Sequence, residues 1–239
     1  MSAPHFFAAD VSGDRVTLGR DDSRHALRVL RIRPGERITI SDGSGSVVEA
    51  TVDADAGDRL IACVVARRDE PAPRPALHVV QAIPKKGKLD VVVQKLTELG
   101  VSSIAPFASE RSIPRWDASK GEAHAARLRE VARQAAMQSR RAWLPGVSPP
   151  IALASLTFDR PAFVLHETAK TRLTAALPDE APDSLTIVVG PEGGLTDDEV
   201  TTFRDRGAEP VTLGRAILRT ETASLAAAAI ALARYDLLG

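Results

Sequence analysis

The sequence predicts an α/β protein in which a small β-rich N-terminal domain precedes a larger domain of alternating strands and helices. Three observations carry this reading. Before Asp69 the chain reads as short strands separated by turn signals. Pro71-Ala72-Pro73-Arg74-Pro75 then supplies three prolines in five residues, an extended spacer that disfavours helix and central strand alike. Beyond it, apolar runs alternate with runs at helical spacing, as in a mainly parallel sheet covered by helices. The domains are accordingly placed at residues 1–71 and 76–239.

In the first domain the strand candidates are 15–18, 37–41, 47–52 and 60–66, with Asp42-Gly43 and Ser44-Gly45 as the tight turn between the second and third. Asp21-Asp22-Ser23 caps a short helix that carries Ala26, Leu27, Val29 and Leu30 and stops before Pro34-Gly35. The sum is a small β-barrel with one helix. In the second domain a strand over 77–83 leads to a helix over 88–99, whose apolar residues fall at 89, 92, 93, 96 and 99 before Gly100. A strand over 101–107 and a long helix over 122–141 follow, then strands over 162–165 and 185–189. Thr196-Asp197-Asp198-Glu199 has the cap-plus-acid pattern of a helix start. A strand at 211–213 and an Ala-rich helix over 220–238 close the chain, the helix expected in the core or at a dimer contact.

Composition bounds what such a chain does. It has 239 residues, 44% hydrophobic and 26% charged, with 31 Lys+Arg balanced by 31 Asp+Glu. This is globular composition, and the length suffices for a sizeable core. The single cysteine, Cys63, excludes an intrachain disulfide and reads as a small core hydrophobe. Five scattered histidines give no metal-ligand spacing, so no metal is expected. The N-terminus lacks a signal-peptide pattern, and no run reaches 18 apolar residues. A soluble, cytoplasmic protein is the expectation. Zero net charge on its face argues against a polyanionic partner.

Two segments carry the chemistry. Leu185–Val189 runs directly into Gly190-Pro191-Glu192-Gly193-Gly194, followed by the Thr196 cap. Three glycines in five residues let the backbone turn sharply and approach a ligand, and in a parallel sheet ligands bind at the carboxyl ends of strands. Alone, such a loop also serves as a plain strand-to-helix turn, and it matches no phosphate-binding motif. The second segment, Val211 through Thr222, ends a strand at Leu213-Gly214 and opens a helix after Leu218-Arg219. Two Gly-bearing loops on neighbouring strand candidates are placed to enclose one pocket walled by Leu213 and Leu218.

These two blocks resemble the signatures of the RsmE family, SPOUT-class methyltransferases with a C-terminal trefoil knot. Arg28-Val29-Leu30-Arg31, Asp42-Gly43, Gln94-Lys95 with Glu98-Leu99-Gly100-Val101, and Ser109-Glu110-Arg111 agree, so the resemblance spans nearly the whole chain and makes the N-terminal barrel PUA-like. It implies S-adenosylmethionine-dependent methylation of N3 of a uridine in 16S ribosomal RNA of the small ribosomal subunit, by a homodimer. By position, the loop from Gly190 to Gly194, the stretch from Leu213 and Gly214 to Leu218 and Arg219, and Thr222 would hold the cofactor. Leu165, His166 and Glu167 would form a third wall. Gln138 and Arg141 match a family Gln and Arg near the active site. Met137 stands where relatives commonly carry an acid, which weakens any proposal of a carboxylate base there. Uridine N3 must lose a proton before it attacks, and the charge then spreads onto the flanking carbonyl oxygens. Arg219 or Arg141 is the candidate to stabilise it, and Glu192 or Glu221 to take the proton. A SPOUT enzyme acting elsewhere on RNA, such as a ribose 2′-oxygen, and a non-catalytic rRNA-binding assembly factor remain alternatives.

Local charge answers the objection from net charge. Residues 24–37 hold Arg24, Arg28, Arg31, Arg33 and Arg37 against Glu36 alone. Residues 111–141 hold eight cations, among them Arg111, Arg115, Lys120, Arg133 and Arg141, against Asp117, Glu122 and Glu130. Lys85, Lys86 and Lys88 form a third cluster. Such clusters are a footprint for phosphates, although a solvated helix face has the same composition. Aromatic residues are only 4% of the chain, which argues against extensive base stacking, and Trp116 and Trp143 are equally suited to packing.

Overall fold

The computed structural model describes residues 3–55, 59–85, 87–112 and 121–238. They form two compact units. Residues up to Ala72 together with Ala136–Leu144 make the first, and Pro73–Ala135 with Pro145 onward make the second. The division falls in the proline spacer. The return of Ala136–Leu144 to the first unit has no counterpart in the sequence pattern, because the helix that supplies it is periodic throughout.

The first unit is a curled five-stranded sheet, ordered β1–β3–β4–β5–β2. Its strands are β1 (His5–Phe7), β2 (Arg15–Thr17), β3 (Arg37–Ser41), β4 (Ser46–Asp55) and β5 (Leu60–Asp69). Only β1 runs parallel to its neighbour, β3. Its curl gives the small barrel-like unit that the strand pattern predicts, and no ladder joins β1 to β2 among the described residues. Phe6, Leu18, Ile38, Ile40, Leu60 and Ala62 are fully buried inside it. The expected helix is instead α1 (Arg20–Arg24) followed by a π-helical turn, His25–Val29. Ala26 and Ile32 are buried in the core with Leu27 packed against it, while Arg28 to Arg31 stay exposed. Trp143 is a packing residue. Its indole N–H donates to the Glu70 carbonyl at 3.0 Å, and its ring covers Gly45, which has no room for a side chain.

The second unit is a seven-stranded sheet in which every ladder is parallel. Its order is β12–β10–β11–β6–β7–β8, with β9 also on β7. The strands are β6 (Ala76–Ala82), β7 (Ser103–Ala108), β8 (Gly146–Val147), β9 (Ile151–Ala152), β10 (Ala162–Leu165), β11 (Ser184–Val189) and β12 (Ala208–Val211). Burial alternates with period two across it. Leu77, Val79, Leu185, Ile187 and Phe163 share one core with α2 (Lys88–Leu99) and α6 (Thr220–Arg234), whereas Val80, Ala82, Val188 and Val164 face Phe203 of α5 (Asp197–Asp205). Coverage of both faces explains why β6 and β11 are mostly apolar, with no polar residue at every second position.

Boundaries moved where local chemistry overrode periodicity. β12 lies at Ala208–Val211 and not at 211–213. It is an edge strand, where Pro210 costs no central ladder bond, and Thr212 and Leu213 leave the sheet. α6 ends at Arg234, because Asp236 takes a left-handed conformation at φ 55° and the Leu237 N–H turns back to the Leu232 carbonyl. Ala227, Ala228 and Ala231 face the core, which answers what the alanine-rich face is for. The long helix, α3 (Gly121–Ser139), and the short α4 (Leu173–Ala176) complete the unit.

Two histidines are held uncharged by this architecture. His5, 6% exposed, places Nδ1 2.8 Å from the Thr39 hydroxyl and Nε2 3.2 Å from the Arg141 carbonyl. Burial lowers its pKa from 6.5, opposed by the carbonyl contact. Burial likewise lowers that of His78, opposed by Asp159. A folded value below the unfolded one means that the unfolded chain binds more protons as pH falls through and below 6.5. The two histidines therefore contribute stability that is complete above pH 6.5 and lost below it. The melting temperature is expected to drop between pH 7.5 and about 5.5, above the carboxylate range. In the His5→Gln, His78→Gln double variant that drop should flatten. An equal drop in the variant would show that other groups drive it.

Candidate active site

Three adjacent parallel strands, β12, β10 and β11, end side by side at Val211, Leu165 and Val189. The segments that follow them enclose a cavity of about 320 Å³, lined in part by Leu165, His166, Glu167, Gly190, Pro191, Glu192, Gly194, Leu213, Gly214, Leu218 and Arg219. The Gly190–Gly194 loop turns through a bond from the Gly194 N–H to the Pro191 carbonyl at 2.9 Å, with Gly194 at φ +71°. A Cβ on Gly190 would lie 3.0 Å from Leu195 Cγ, so a larger residue at the strand exit would press on Leu195. Beyond it a capping box closes α5: Thr196 Oγ1 accepts from the Glu199 N–H, and Glu199 returns a bond to the Thr196 N–H at 2.9 Å. Glu199 also accepts the Glu110 N–H at 2.8 Å.

A buried polar network fixes the floor. Gln81, on β6 and fully buried, donates from Nε2 to Thr220 Oγ1 at 3.0 Å and to the Ala82 carbonyl at 2.9 Å. The Thr220 hydroxyl donates to the Gly190 carbonyl at 2.6 Å. Ser224 Oγ contacts Gln81 Oε1 and lies 2.9 Å from the Thr220 carbonyl. One glutamine thus ties the sheet, the loop after β11 and the first turn of α6 together.

Lys88 fastens the rim. Its ammonium lies 3.1 Å from Glu192 and 3.2 Å from Glu221, and the Glu192 carboxylate also accepts the Lys85 N–H at 3.1 Å. The bond to Glu192, with that to Glu221, holds the Lys88 pKa above its ordinary value against partial desolvation. Burial raises the Glu192 pKa, but its own N–H, Lys88 and the Lys85 N–H outweigh this and hold it below the usual carboxylate range. The two acids named as proton acceptors therefore sit in an ion-paired cluster with a lysine expected on RNA. Lys85 is exposed nearby, and Lys86 lies outside the described residues.

The remaining candidates divide. Arg219 lines the cavity at the start of α6 and has no acid partner among the described residues. Gly193 and Thr222 are not in the lining. Gly193 instead offers its carbonyl to Arg111 Nη1 at 2.8 Å, which brings Arg111 into the cavity wall. Gln138 and Arg141 belong to the first unit, where Gln138 is exposed and Arg141 half-buried. Burial lowers the Arg141 pKa, with Glu70 opposing. Much of the charge on α3 is internally matched: Arg133 pairs with Glu130 at 2.9 Å, Arg129 with Glu122, and Arg127 with Asp90. Arg115, Trp116 and Lys120 lie outside the described residues. Arg24, Arg28, Arg31 and Arg33 are exposed in the first unit. No cluster of three or more His, Cys, Asp or Glu among the described residues is arranged to hold a metal, and no helix among them is long and apolar enough to cross a membrane.

Residues 70–232 match the model of an RNA methyltransferase domain, and residues 18–63 that of an RNA methyltransferase PUA domain. The ribosomal RNA small subunit methyltransferase E of Mycobacterium tuberculosis is 36% identical over 227 residues, covering 90% of this chain and 86% of that protein. The Bacillus subtilis enzyme of the same name is 30% identical over 218 residues, covering 86% and 84%. The chain belongs to the RsmE family. Its fold agrees with the Neisseria gonorrhoeae member crystallised with S-adenosyl methionine, at a TM-score of 0.87 and 32% identity over 97% of this chain and 98% of that one. A Legionella pneumophila methyltransferase in complex with the same cofactor superposes at 0.88, with 25% identity and 98% of each chain covered.

For this RsmE-family chain, motif reading missed part of the site. Thr212 lines the cavity beside the named loops, as do Val189 and Val211 at the strand ends. Gln81, Thr220 and Ser224 were missed as a network, since their spacing spans 143 residues and only the sheet register joins them. A polar Gln inside the apolar run of β6 was the available signal. Thr220→Val keeps the side-chain shape but leaves the Gln81 N–H and the Gly190 carbonyl unpaired, at a cost of about 1–3 kcal/mol. Urea denaturation should show this loss, with Thr220→Ser recovering most of it. An unshifted midpoint in the valine variant would contradict the network's role.

Proposed function

We propose that this chain transfers a methyl group from S-adenosyl methionine to N3 of a uridine in 16S ribosomal RNA of the small subunit. The observation that carries the reading is the cavity at the carboxyl ends of β12, β10 and β11, built from the loops in which the family signatures fall. The lining fits the cofactor's chemistry. Leu165, Val189, Leu213 and Leu218 supply apolar walls for a purine, backbone groups at the strand exits supply partners for its edge, and Glu167 supplies an acid for a cationic ligand. Gly214, at φ +142° with nothing within 4 Å of its absent Cβ, keeps one side open. The bound cofactor supplies a methyl group already activated on a sulfonium sulfur, so the protein's share of catalysis is alignment and charge stabilisation.

Arg219 is assigned the charge that develops on the uracil carbonyl oxygens as N3 loses its proton. It fits because its guanidinium has no acid partner among the described residues and stands in the same lining. Arg141 remains the second candidate, from the first unit. Glu192 is a poor base in its pairing with Lys88, and with Glu221 it is assigned to holding the two loops. Leu165, His166, Glu167, Gly190, Pro191, Gly194, Leu213, Gly214 and Leu218 are the cofactor contacts in this reading, and Gly193 and Thr222 are left outside. A homodimer and a cytoplasmic site of action complete it. Sedimentation should then give about twice the 25.4 kDa chain mass.

Small subunits from cells lacking the gene, incubated with the protein and methyl-labelled cofactor, are expected to carry the label as N3-methyluridine on mass mapping. Label on a ribose, or none, would contradict the reading. Arg219→Ala should lower kcat by about 10²–10³-fold while cofactor binding persists. Unchanged turnover in that variant would remove the assigned role.

A further inference from the structure

Arg28-Val29-Leu30-Arg31 is one of the family-like signatures, yet the fold does not use its apolar residues. Val29 is 65% exposed and Leu30 45%, whereas Ala26 and Ile32 on either side are 0% and 6% exposed and anchored in the first unit's core. The segment is braced. The Leu30 N–H donates to the His25 carbonyl and the Ile32 N–H to the Ala26 carbonyl, each at 3.0 Å, closing the π-helical turn. Arg31 then takes a left-handed conformation at φ 56°, a sparsely populated region for a residue other than glycine. Two branched apolar side chains are thereby presented to solvent on a fixed mount. π-turns of this kind recur at functional sites.

The surroundings say what that mount meets. Arg24, Arg28, Arg31, Arg33 and Arg37 are all exposed, and none has an acid partner among the described residues. The single acid of the segment, Glu36, accepts the Arg33 backbone N–H at 3.0 Å and stays on its own turn. An exposed apolar tip flanked in sequence by exposed arginines with no acid partner among the described residues is complementary to a polyanion with apolar faces between its charges, which describes nucleic acid with accessible bases. A protein surface able to match five arginines would need a comparable cluster of carboxylates.

We propose that the 28–31 turn is an RNA wedge, in which Val29 and Leu30 pack against unstacked bases of the ribosomal RNA while the flanking arginines hold the adjacent phosphates. This rests on the reading that the substrate is ribosomal RNA and goes beyond it, by assigning RNA contact to two apolar residues. Phosphate contacts and apolar contacts differ in their response to salt. The wedge therefore has a signature that a general basic surface lacks.

The test uses the full chain and its Val29→Ser, Leu30→Ser double variant, with unmethylated small subunits and naked 16S rRNA as probes. Both side chains are exposed, so the melting temperature should stay at the wild-type value. Affinity for both probes is expected to fall about tenfold, with KM for subunits rising in step, kcat and cofactor affinity unchanged, and the salt slope of binding retained. Arg28→Ala, Arg31→Ala should instead make that slope shallower by about 0.7 per lost phosphate contact. Wild-type affinity of the serine variant for naked 16S rRNA would overturn the wedge. If that variant lost subunit binding alone, the turn would dock on ribosomal protein and the proposal would fail. Loss of RNA binding in the variant, alongside a wild type that binds RNA without methylating it, would support the wedge and reject the enzymatic reading.

Discussion

The bond from the Thr220 hydroxyl to the Gly190 carbonyl is the constraint on which the site depends. It joins the loop after β11 to the start of α6, segments separated by a whole excursion through α5 and β12. Gln81 completes it from β6, using one amide N–H for Thr220 and presenting its carbonyl oxygen to Ser224. Satisfied buried bonds of this kind add only about 1 kcal/mol each, but leaving one partner unpaired costs more. The network thus acts chiefly by excluding other arrangements of the two loops. Loops held in one arrangement lose less conformational freedom when a ligand binds between them.

Charge is distributed in the same economical way. The balance of 31 cations and 31 acids conceals two regimes. On α3 the cations are matched by acids, Arg133 by Glu130 and Arg129 by Glu122, and at the cavity rim Lys88 is matched by Glu192 and Glu221. In the first unit, the arginines of residues 24–37 are unmatched among the described residues. A localised footprint of that kind recognises a shaped target without coating RNA at large.

Much of this was legible in the sequence. Helix α2 with Gly100 at its end, strand β10 at 162–165, the Thr196 cap and the proline spacer follow from periodicity and stop signals, which are local. The two Gly-bearing loops were legible because each directly follows a strand candidate and the pair carries the family signatures. What stayed hidden was non-local or short. β1, β8 and β9 have two or three residues each, too few for any period to register. The last turn of α3 belongs to the first unit although its sequence is continuous helix. Glu192 and Glu221 read as free carboxylates, because nothing in the spacing reveals that Lys88 lies between them. Val29 and Leu30 read as part of one short helix, since nothing in the spacing reveals that the helix gives way to a π-helical turn that leaves both exposed.

The central proposal is that the loops at 190–194 and 212–219, which line one cavity, hold the cofactor together. Hydrogen exchange with and without saturating S-adenosyl methionine tests it most directly. Amides at the ends of β10, β11 and β12, in both loops and in the first turn of α6, are expected to gain protection together. Protection confined to one loop, or appearing outside the strand ends, would contradict it.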